Sequence, residues 1–437
     1  MSGAGRLLGR AGRGGGGAIQ ITHAGRPIAA DAADTITSAL LREGVLETSR
    51  SAKFRRARGP YCLAGDCGTC QVRVDGQPNV RACMTPVREG MSVAPQNHWG
   101  PAGLDLSRLA DRVLPDDIDH HHMLVRPRVL NQVMQTAARS LTGFGELPDA
   151  ALGGPPPRHV EEAPTALVIG AGPAGRAAAR ALEQAGVDVV TFDRRDRLAL
   201  EAVHEGPLPE RLLVETGIFG VYPREAGGGL WAAATAPLAP APTLYTVRPR
   251  HVILAVGARS GTLALANNDL PGVFAARGLV ALTRRIGAPL EGRGIVIGDG
   301  DEAQALADAL AATRLATADV QALEGRGRVT GVRTRGGLQP CDWVGLAPAP
   351  APAHELSVQA WARIAWDGAG FATVRDEAGR CVIDAPAGTS PPAWTLWACG
   401  DVCGAVGPQR AESDGAAIGR AVAKALRARS THAEGER

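Results

Sequence analysis

Cys62, Cys67, Cys70 and Cys83 are the residues whose type and spacing point most directly to chemistry. They read Cys-x4-Cys-x2-Cys, with a fourth Cys beyond a short apolar stretch. Four thiolates that open with this spacing hold a [2Fe–2S] cluster, two per iron. The loop must also fold tightly around the sulfurs, and Gly65 and Gly68 supply that freedom without a Cβ. Such a centre moves one electron at a time. Two other readings compete. A structural Zn²⁺ site usually pairs two short knuckles across a longer gap, whereas here three ligands crowd one loop. A disulfide framework expects an export signal, and positions 1–17 read as a Gly/Arg head with no apolar segment.

The elements around the cysteines are legible. Positions 1–18 are low-complexity and expected to be disordered. Ile19-Gln-Ile-Thr, a Gly-Arg-Pro turn and Pro27-Ile-Ala predict a hairpin. Ile36, Leu40 and Leu41 recur at helical spacing, with Asp34 or Thr35 as cap and Gly44 as stop. After the cysteine loop, Gln71 to Val74 alternates as a strand and turns at Asp75-Gly76. Hairpin, helix, metal loop, strand is the order of an α+β β-grasp ferredoxin, assigned to 19–95. Positions 96–160 read as a linker or docking segment ending in Gly153-Gly-Pro-Pro-Pro, with a short helix expected over Met134 to Leu141. Asp119-His120-His121-His122 lies inside it. Adjacent side chains point apart on any regular element, so these histidines read as a polar turn and not as a metal site.

From position 161 the texture becomes α/β. Thr165 to Ile169 is a strand, Gly170-Ala-Gly172-Pro-Ala-Gly175 a glycine turn, and a helix follows to Gly186. Gly170 makes the turn, Gly172 lets backbone approach a pyrophosphate, and Gly175 lets helix and strand close up. The helix N-terminus offers N–H groups to the phosphates. Asp193, at the end of the next strand, is placed for a ribose hydroxyl. A second turn, Gly298-Asp-Gly300-Asp-Glu-Ala303, has Ala in the third glycine position. Asp299 and Asp301 lie where phosphate would sit, and only Glu324 offers a ribose acid. This second turn is a candidate NAD(P) site, with a closed or empty cleft as the alternative. The expected fold is therefore a ferredoxin domain followed by an α/β, Rossmann-like flavoprotein with two dinucleotide-binding domains. Its FAD-binding domain is split over 161–262 and 342–428, with an NAD-binding-like domain at 263–341 and a tail at 429–437.

Composition narrows the class. The chain has 437 residues, 45% hydrophobic and 21% charged, enough for several buried cores. A net charge of +3 and 4% aromatics give no basic patch or stacking platform for nucleic acid. No run of 18 apolar residues predicts a membrane span. Cys341, Cys381, Cys399 and Cys403 are scattered, and thiols without an export signal fit a cytoplasmic protein. Cys399 and Cys403, spaced Cys-x3-Cys, read as buried small side chains and not as a redox pair.

Positions 19–428 resemble the α-subunit class of sarcosine oxidase and its relatives, the electron-transfer subunits of hydrogen cyanide synthase, opine dehydrogenase and hydroxyproline dehydrogenase. The resemblance is carried by Asp34-Thr-Ile-Thr-Ser-Ala-Leu-Leu and Ser51-Ala-Lys-Phe-Arg-Arg-Ala-Arg-Gly ahead of the cluster loop. It continues in the two-dinucleotide-domain pattern. It implies that Gly170, Gly172, Gly175 and Asp193 bind the ADP half of FAD. It implies that Ala255, Val256 and Gly257 form the crossover near the flavin. Gly400 and Asp401 would meet the ribityl chain, and a helix beginning at Gly415-Ala416 would point at the isoalloxazine edge. The implied partner is a flavoprotein subunit that carries the substrate site. Three departures follow. Only 194–211 separate Asp193 from the next strand, which leaves little chain to wall a flavin. The sequence stops at Arg437, so the aminomethyltransferase-like half and a C-terminal cysteine-rich segment are expected to be absent. No His or Tyr constellation suited to hydride removal from an amine is visible, and no catalytic residue is assigned.

Three functions are consistent with these readings. The first is an electron-transfer subunit of a hetero-oligomeric amine or amino-acid dehydrogenase or oxidase. The second is a self-sufficient NAD(P)H-dependent FAD/[2Fe–2S] reductase. The third is a scaffold subunit in which only the cluster is active.

Overall fold

A computed structural model describes residues 7–8, 19–51, 56–97, 156–223, 229–236, 238–239, 241–390 and 392–435. Most of the expected disordered head, most of the 96–160 segment, the Met134–Leu141 helix and the three histidines lie outside the described residues, but Leu7 and Leu8 of that head are ordered and buried, because Leu7 bonds to Leu41 and Glu291 and Leu8 bridges to Leu290. The chain divides into two compact units. One combines Met1–Gly154 with Thr262–Ala347, the other Pro155–Gly261 with Pro348–Arg437.

The first unit opens with strands β1 (Ile19–His23) and β2 (Arg26–Ala30), helix α1 (Ile36–Arg42) and the short pair β3 (Ser49–Arg50) and β4 (Ala57–Arg58). Strands β5 (Gln71–Val74), β6 (Gln77–Arg81) and β7 (Ser92–Pro95) follow. The sheet order β2-β1-β7-β5-β6, with β1 and β7 parallel, is the β-grasp arrangement expected. Thr35 caps α1 in a reciprocal box with Ser38, and Asp34 turns inward to pair with Arg42 at 3.1 Å. Asp75 (φ 49°) and Gly76 (φ 82°) make the β5–β6 turn, as their types predict.

The second unit begins with β8 (Arg158–Glu162), β9 (Ala166–Ile169), α2 (Pro173–Gln184), β10 (Val189–Phe192), α3 (Arg197–Val203) and β11 (Leu212–Leu213). It continues through β12 (Thr216–Tyr222), β13 (Leu230–Thr235), β14 (Thr243–Val247), β15 (His251–Leu254) and β16 (Ala258–Arg259). The chain then returns to the first unit with β17 (Val273–Ala275), α4 (Ala276–Ile286), β18 (Gly294–Gly298), α5 (Gly300–Ala309) and β19 (Thr313–Leu315). Strands β20 (Val320–Gly325), β21 (Val329–Thr334), β22 (Gly337–Pro340) and β23 (Trp343–Ala347) complete that unit. The second unit closes with β24 (Ala351–Pro352), α6 (Glu355–Gln359), β25 (Ile364–Trp366), β26 (Phe371–Thr373), β27 (Thr395–Ala398) and α7 (Pro408–Gly435). Because β23 pairs with β17 and β18, the return to the second unit falls at Pro348 and not at position 342.

The second unit carries a parallel sheet, β11-β10-β9-β15-β27. Strands β9, β10 and β15 are buried along their whole length, which explains their unbroken apolar runs. An antiparallel-rich sheet, β12-β13-β14-β8, follows from the 216–247 segment. In the first unit a smaller parallel sheet, β17-β23-β18-β19, carries the Gly298 turn. Its core is continuous with that of the β-grasp part. Leu41 and Leu46 pack with Phe274, Leu279 and Trp343 in one cluster. Fully burying a side chain of this size contributes about 1.5–3 kcal/mol, so the two parts stabilise each other.

Candidate functional site

The four cysteines converge. Cys62, Cys70 and Cys83 are buried and Cys67 is exposed. Sequence spacing alone leaves Cys83 apart from the others. Strand β5 and the bond from Ala82 N to Cys70 O (3.2 Å) bring it back beside Cys70. Helix α1 fixes the same segment, with Thr37 N donating to Ala82 O and Ile36 N to Thr85 O. The Cys62 sulfur accepts from the backbone N–H groups of Ala64 (3.5 Å), Asp66 (3.2 Å) and Cys67 (3.4 Å). Cys67 and Thr69 Oγ1 lie 3.1 Å apart. Leu63, Gly65 and Gly68 take left-handed φ values of 55°, 80° and 67°, which curl the loop. A Cβ on Gly65 would lie 2.7 Å from Met84 Cγ, so only glycine fits there.

The thiols act on one another. Contact with the Cys67 and Cys83 thiols, with help from the backbone donors, pulls the Cys62 thiol toward the thiolate. Cys83 does the same for Cys70, while Cys67 and Cys83 are pushed toward the protonated form. The Cys62 sulfur is in contact with those of Cys67 and Cys83, and Cys83 in turn with Cys70, so the four thiols form one contiguous group. Four thiolates gathered in this way fit a [2Fe–2S] cluster, which takes two per iron. Among the described residues, no three His, Cys, Asp or Glu side chains are arranged as a single-ion site.

In the second unit the first glycine turn is built as its sequence predicts. A Cβ on Gly175 would lie 1.8 Å from Gly170 O, and one on Gly170 (φ 102°) would lie 2.4 Å from Ala255 O. These contacts seat α2 on β9 and β15. A Cβ on Gly172 would meet only Arg195 Nη2, at 3.9 Å, so that face of the turn is open. Gly172 caps α2 without a side-chain bond, and Pro173 begins the helix. The open face fits a pyrophosphate at the helix N-terminus. Chain segments far apart in sequence gather around Ala174. A Cβ on Gly400 (φ 73°) would lie 2.8 Å from Ala174 Cβ, and one on Gly415 would lie 2.0 Å from Ala174 O. Gly257 (φ 72°) has open space beside it and its carbonyl accepts from Ala353 N at 3.0 Å. Asp401 Oδ1 accepts from Val406 N at 3.0 Å.

Three placements differ from expectation. Asp193 is 5% exposed, and its carboxylate is used internally. Oδ2 accepts from Ala171 N (2.7 Å) and Arg195 Nη2 (2.8 Å), and Oδ1 from Arg195 N (2.8 Å) and Nε (3.0 Å). Desolvation alone would raise its pKa. Arg195 and the two backbone donors outweigh that and hold the carboxyl below its usual range. Asp193 thus braces the glycine turn, and a ribose hydroxyl would have to compete with Arg195 for it. Secondly, Gly415 and Ala416 do not start a helix, because α7 begins at Pro408, just after Gly407 (φ 79°). Gly415 and Gly419 instead allow α7 to cross α2 closely, against Ala174 and Ala178. Ala416 faces α2, lining a cavity of about 280 Å³ with Arg180 and Arg420. Proline directly after glycine was the available signal for the true start. Thirdly, Glu324 lies on β20, in the separate antiparallel sheet β20-β21-β22, and pairs with Arg333 at 2.6 Å. It is not at the end of the strand that follows α5.

At the second turn, a Cβ on Gly298 would lie 2.5 Å from Ala347 O, 2.8 Å from Ala347 Cβ and 3.0 Å from Ala303 Cβ. Gly300 (φ 77°) faces open space. Asp299 Oδ1 accepts from Thr317 N (3.1 Å), just beyond β19, and hydrogen bonds from the Thr317 side chain and backbone hold its carboxyl below the usual range. Asp301 and Glu302 occupy the first turn of α5, and Glu302 pairs with Arg277. Three acids at a helix N-terminus oppose a phosphate there.

Two residues escaped the sequence reading. Arg176 on α2 is 2% exposed and donates to the carbonyls of Ala171 (2.9 Å), His204 (3.1 Å), Gly206 (3.2 Å) and Leu200. It pins the short 194–211 segment beneath the turn. Arg195 is the other. Nothing in a lone Arg at these positions distinguishes them from solvent-facing arginines.

Cys399 is buried and Cys403 intermediate, and burial raises both thiols, Cys403 to about 12. They behave as packed side chains and not as a reactive pair.

Residues 16–98 match the 2Fe-2S iron-sulfur cluster binding domain family, and residues 168–223 match an NAD(P)-binding Rossmann-like domain. The chain is 27% identical over 353 residues to sarcosine oxidase subunit alpha of Rhizobium meliloti (strain 1021), covering 73% of this chain and 35% of that protein. It therefore spans about a third of that relative. Over 74 residues it is 38% identical to hydrogen cyanide synthase subunit HcnA of Pseudomonas aeruginosa, covering 17% of this chain and 70% of HcnA. The crystal structure of L-proline dehydrogenase from P. horikoshii is similar in fold, with a TM-score of 0.66 at 18% identity, over 95% of this chain and 75% of that one. A 2Fe-2S domain is thus joined to a Rossmann-like fold similar to that of L-proline dehydrogenase, and no helix among the described residues is long and apolar enough to cross a membrane.

Proposed function

We propose that this chain, which belongs through its amino-terminal domain to the 2Fe-2S iron-sulfur cluster binding family that includes HcnA, is the electron-transfer subunit of a hetero-oligomeric amine or amino-acid dehydrogenase or oxidase. The observation that carries the reading is the convergence of Cys62, Cys67, Cys70 and Cys83 in a chain that also holds an open dinucleotide turn at Gly172. Substrates of the sarcosine, opine or hydroxyproline type are the class considered. The relatives' names support a partner subunit, since two of them are named as subunits.

Cys62, Cys67, Cys70 and Cys83 would hold the cluster. Gly170, Gly172 and Gly175, with Ala255, Gly257, Gly400 and Asp401, would hold FAD. When bound, the flavin exchanges electrons in pairs or singly and the cluster singly, which allows a two-electron oxidation to be passed on stepwise. The chain's own residues do the rest. The N–H groups of Ala64, Asp66 and Cys67 stabilise negative charge on the Cys62 sulfur. Asp193, Arg195 and Arg176 keep the glycine turn and its flanking segment in register. Substrate activation is assigned to the partner flavoprotein, and the cysteine inventory suits a cytoplasmic complex.

The test is purification from the native host with identification of co-purifying subunits, plus absorption and EPR spectra before and after reduction. A co-purifying flavoprotein and a reduced [2Fe–2S] signal are expected. Amine oxidation by the isolated chain at full turnover rates would overturn the reading. The acids at Asp299, Asp301 and Glu302 disfavour a self-sufficient NAD(P)H reductase. Rapid anaerobic bleaching of the flavin by NADH or NADPH would favour it instead.

A further inference from the structure

The cluster loop rests on a helix of the second dinucleotide-type fold within the same unit. Helix α4 (Ala276–Ile286) begins without a side-chain cap, and the N–H of its cap residue, Ala275, donates to Tyr61 O at 2.8 Å. One turn in, the Gly278 Cα faces the ligand residue itself. A Cβ there would lie 2.2 Å from Cys62 O, 3.0 Å from Cys62 C and 3.0 Å from Leu63 Cβ. Leu63 holds a left-handed backbone (φ 55°) that a leucine rarely adopts, and it packs on the core cluster that includes Ala276 and Leu279. Strain of this kind persists only where neighbours enforce it. The approach to the loop is anchored to the same subdomain. Arg56 and Arg58 pair with Asp269 at 3.1 and 3.0 Å, and a Cβ on Gly59 would lie 3.5 Å from Pro271 Cα.

We infer that α4 is the positioning element of the iron–sulfur centre, with Gly278 admitting the Cys62 backbone to the positive end of the helix. The inference rests on the proposed function only for the presence of the cluster. Reduction adds one negative charge to the centre. A helix N-terminus favours added negative charge, within about its first turn. Close approach at Gly278 therefore raises the reduction potential, and it fixes the strained geometry at Leu63. The second dinucleotide-type fold, acidic at its own glycine turn, here serves as a seat for the cluster.

The experiment is a redox titration of the full chain followed by EPR, with iron and flavin contents measured alongside. Gly278→Ala is expected to lower the cluster midpoint by about 59 mV, equivalent to a tenfold change in the oxidised-to-reduced ratio, and to alter the reduced EPR line shape. Gly336→Ala is the control. Its Cβ would lie 3.7 Å from Thr334 Oγ1 in the β21–β22 turn, and it should leave potential and line shape unchanged. Loss of the cluster from Gly278→Ala with flavin retained also supports the inference. If that variant loses both cofactors, Leu63→Gly decides, because it removes the side chain held against α4 and releases the strained backbone. A shifted midpoint there supports the role of α4, and a wild-type midpoint overturns it. A wild-type signal unchanged in Gly278→Ala at full iron content also overturns it. Absence of a reduced [2Fe–2S] signal from the wild-type protein refutes the proposed function, and this inference with it.

Discussion

Replacing Gly172 with alanine separates what the glycine turn does for the fold from what it does for a cofactor. The backbone of Gly172 has φ −74° and ψ −172°, which alanine adopts without strain. Its nearest neighbour would be Arg195 Nη2 at 3.9 Å, an ordinary van der Waals contact. Alanine is a poorer helix cap than glycine by roughly 0.5–1 kcal/mol, and it lowers unfolded-state entropy by a similar amount in the opposite sense. The apoprotein should therefore keep its stability to within about 0.5 kcal/mol. A dinucleotide is affected differently, because the methyl group enters the space where a pyrophosphate meets backbone. Overpacking of that kind costs about 1–3 kcal/mol, or roughly 5- to 150-fold in Kd. The assay is flavin content after purification, FAD titration of the apoprotein, and thermal unfolding of the apoprotein. Full FAD occupancy with wild-type affinity in Gly172→Ala would refute the placement of the pyrophosphate at this turn. A large drop in apoprotein stability would refute the claim that the space beside Gly172 is open.

Gly175→Ala is the counterpart. With a Cβ 1.8 Å from Gly170 O, it should destabilise the second unit by at least about 3 kcal/mol with or without FAD, read by denaturant unfolding. Cys83→Ala should abolish the reduced [2Fe–2S] EPR signal while flavin absorbance stays at the wild-type level, and a retained signal would remove Cys83 from the ligand set. Asp193 has a folded-state pKa below its unfolded value, so its contribution is full above about pH 4 and is lost as pH falls through the folded pKa. Asp193→Asn should accordingly be less stable than wild type at pH 6 and lose less stability than wild type on going to pH 3. Equal losses in the two proteins would show that Arg195 does not hold the carboxylate. NADH added anaerobically should reduce the flavin slowly if Asp299, Asp301 and Glu302 keep phosphate from α5, and their combined replacement by Asn and Gln should not slow it further.

Local signals were reliable where chemistry and backbone agree in a few consecutive residues. The Cys-x4-Cys-x2-Cys loop, the Thr35 cap, the Asp75-Gly76 turn and the Gly170 turn each depend on neighbours within a few positions. The start of α7 was misplaced because Gly415-Ala-Ala-Ile carries a strong small-residue pattern, while the Gly407-Pro408 start signal lies seven positions earlier. That pattern is there for close helix crossing, since a Cβ at Gly415 would collide with Ala174 O. Glu324 was the one ribose acid the sequence offered, but it lies on β20 in a separate antiparallel sheet and pairs with Arg333. Asp193 was correctly located at its strand end, yet its partners could not be read, because Arg195 reaches it only through a side-chain rotamer.

The sequence by itself determined the cofactor chemistry. Four thiols at fixed spacing and a strand–glycine–helix unit are short-range facts, encoded in residue type and order. Only the tertiary structure decided which elements support them. It brought the four cysteines together by returning Cys83 beside Cys70, spent the Asp193 carboxylate on Arg195 and Ala171, and set the Cys62 loop on α4 through Gly278. Each of these depends on contact between residues far apart along the chain. Such contacts are chosen by burial and close packing of whole elements, and a single sequence does not print them.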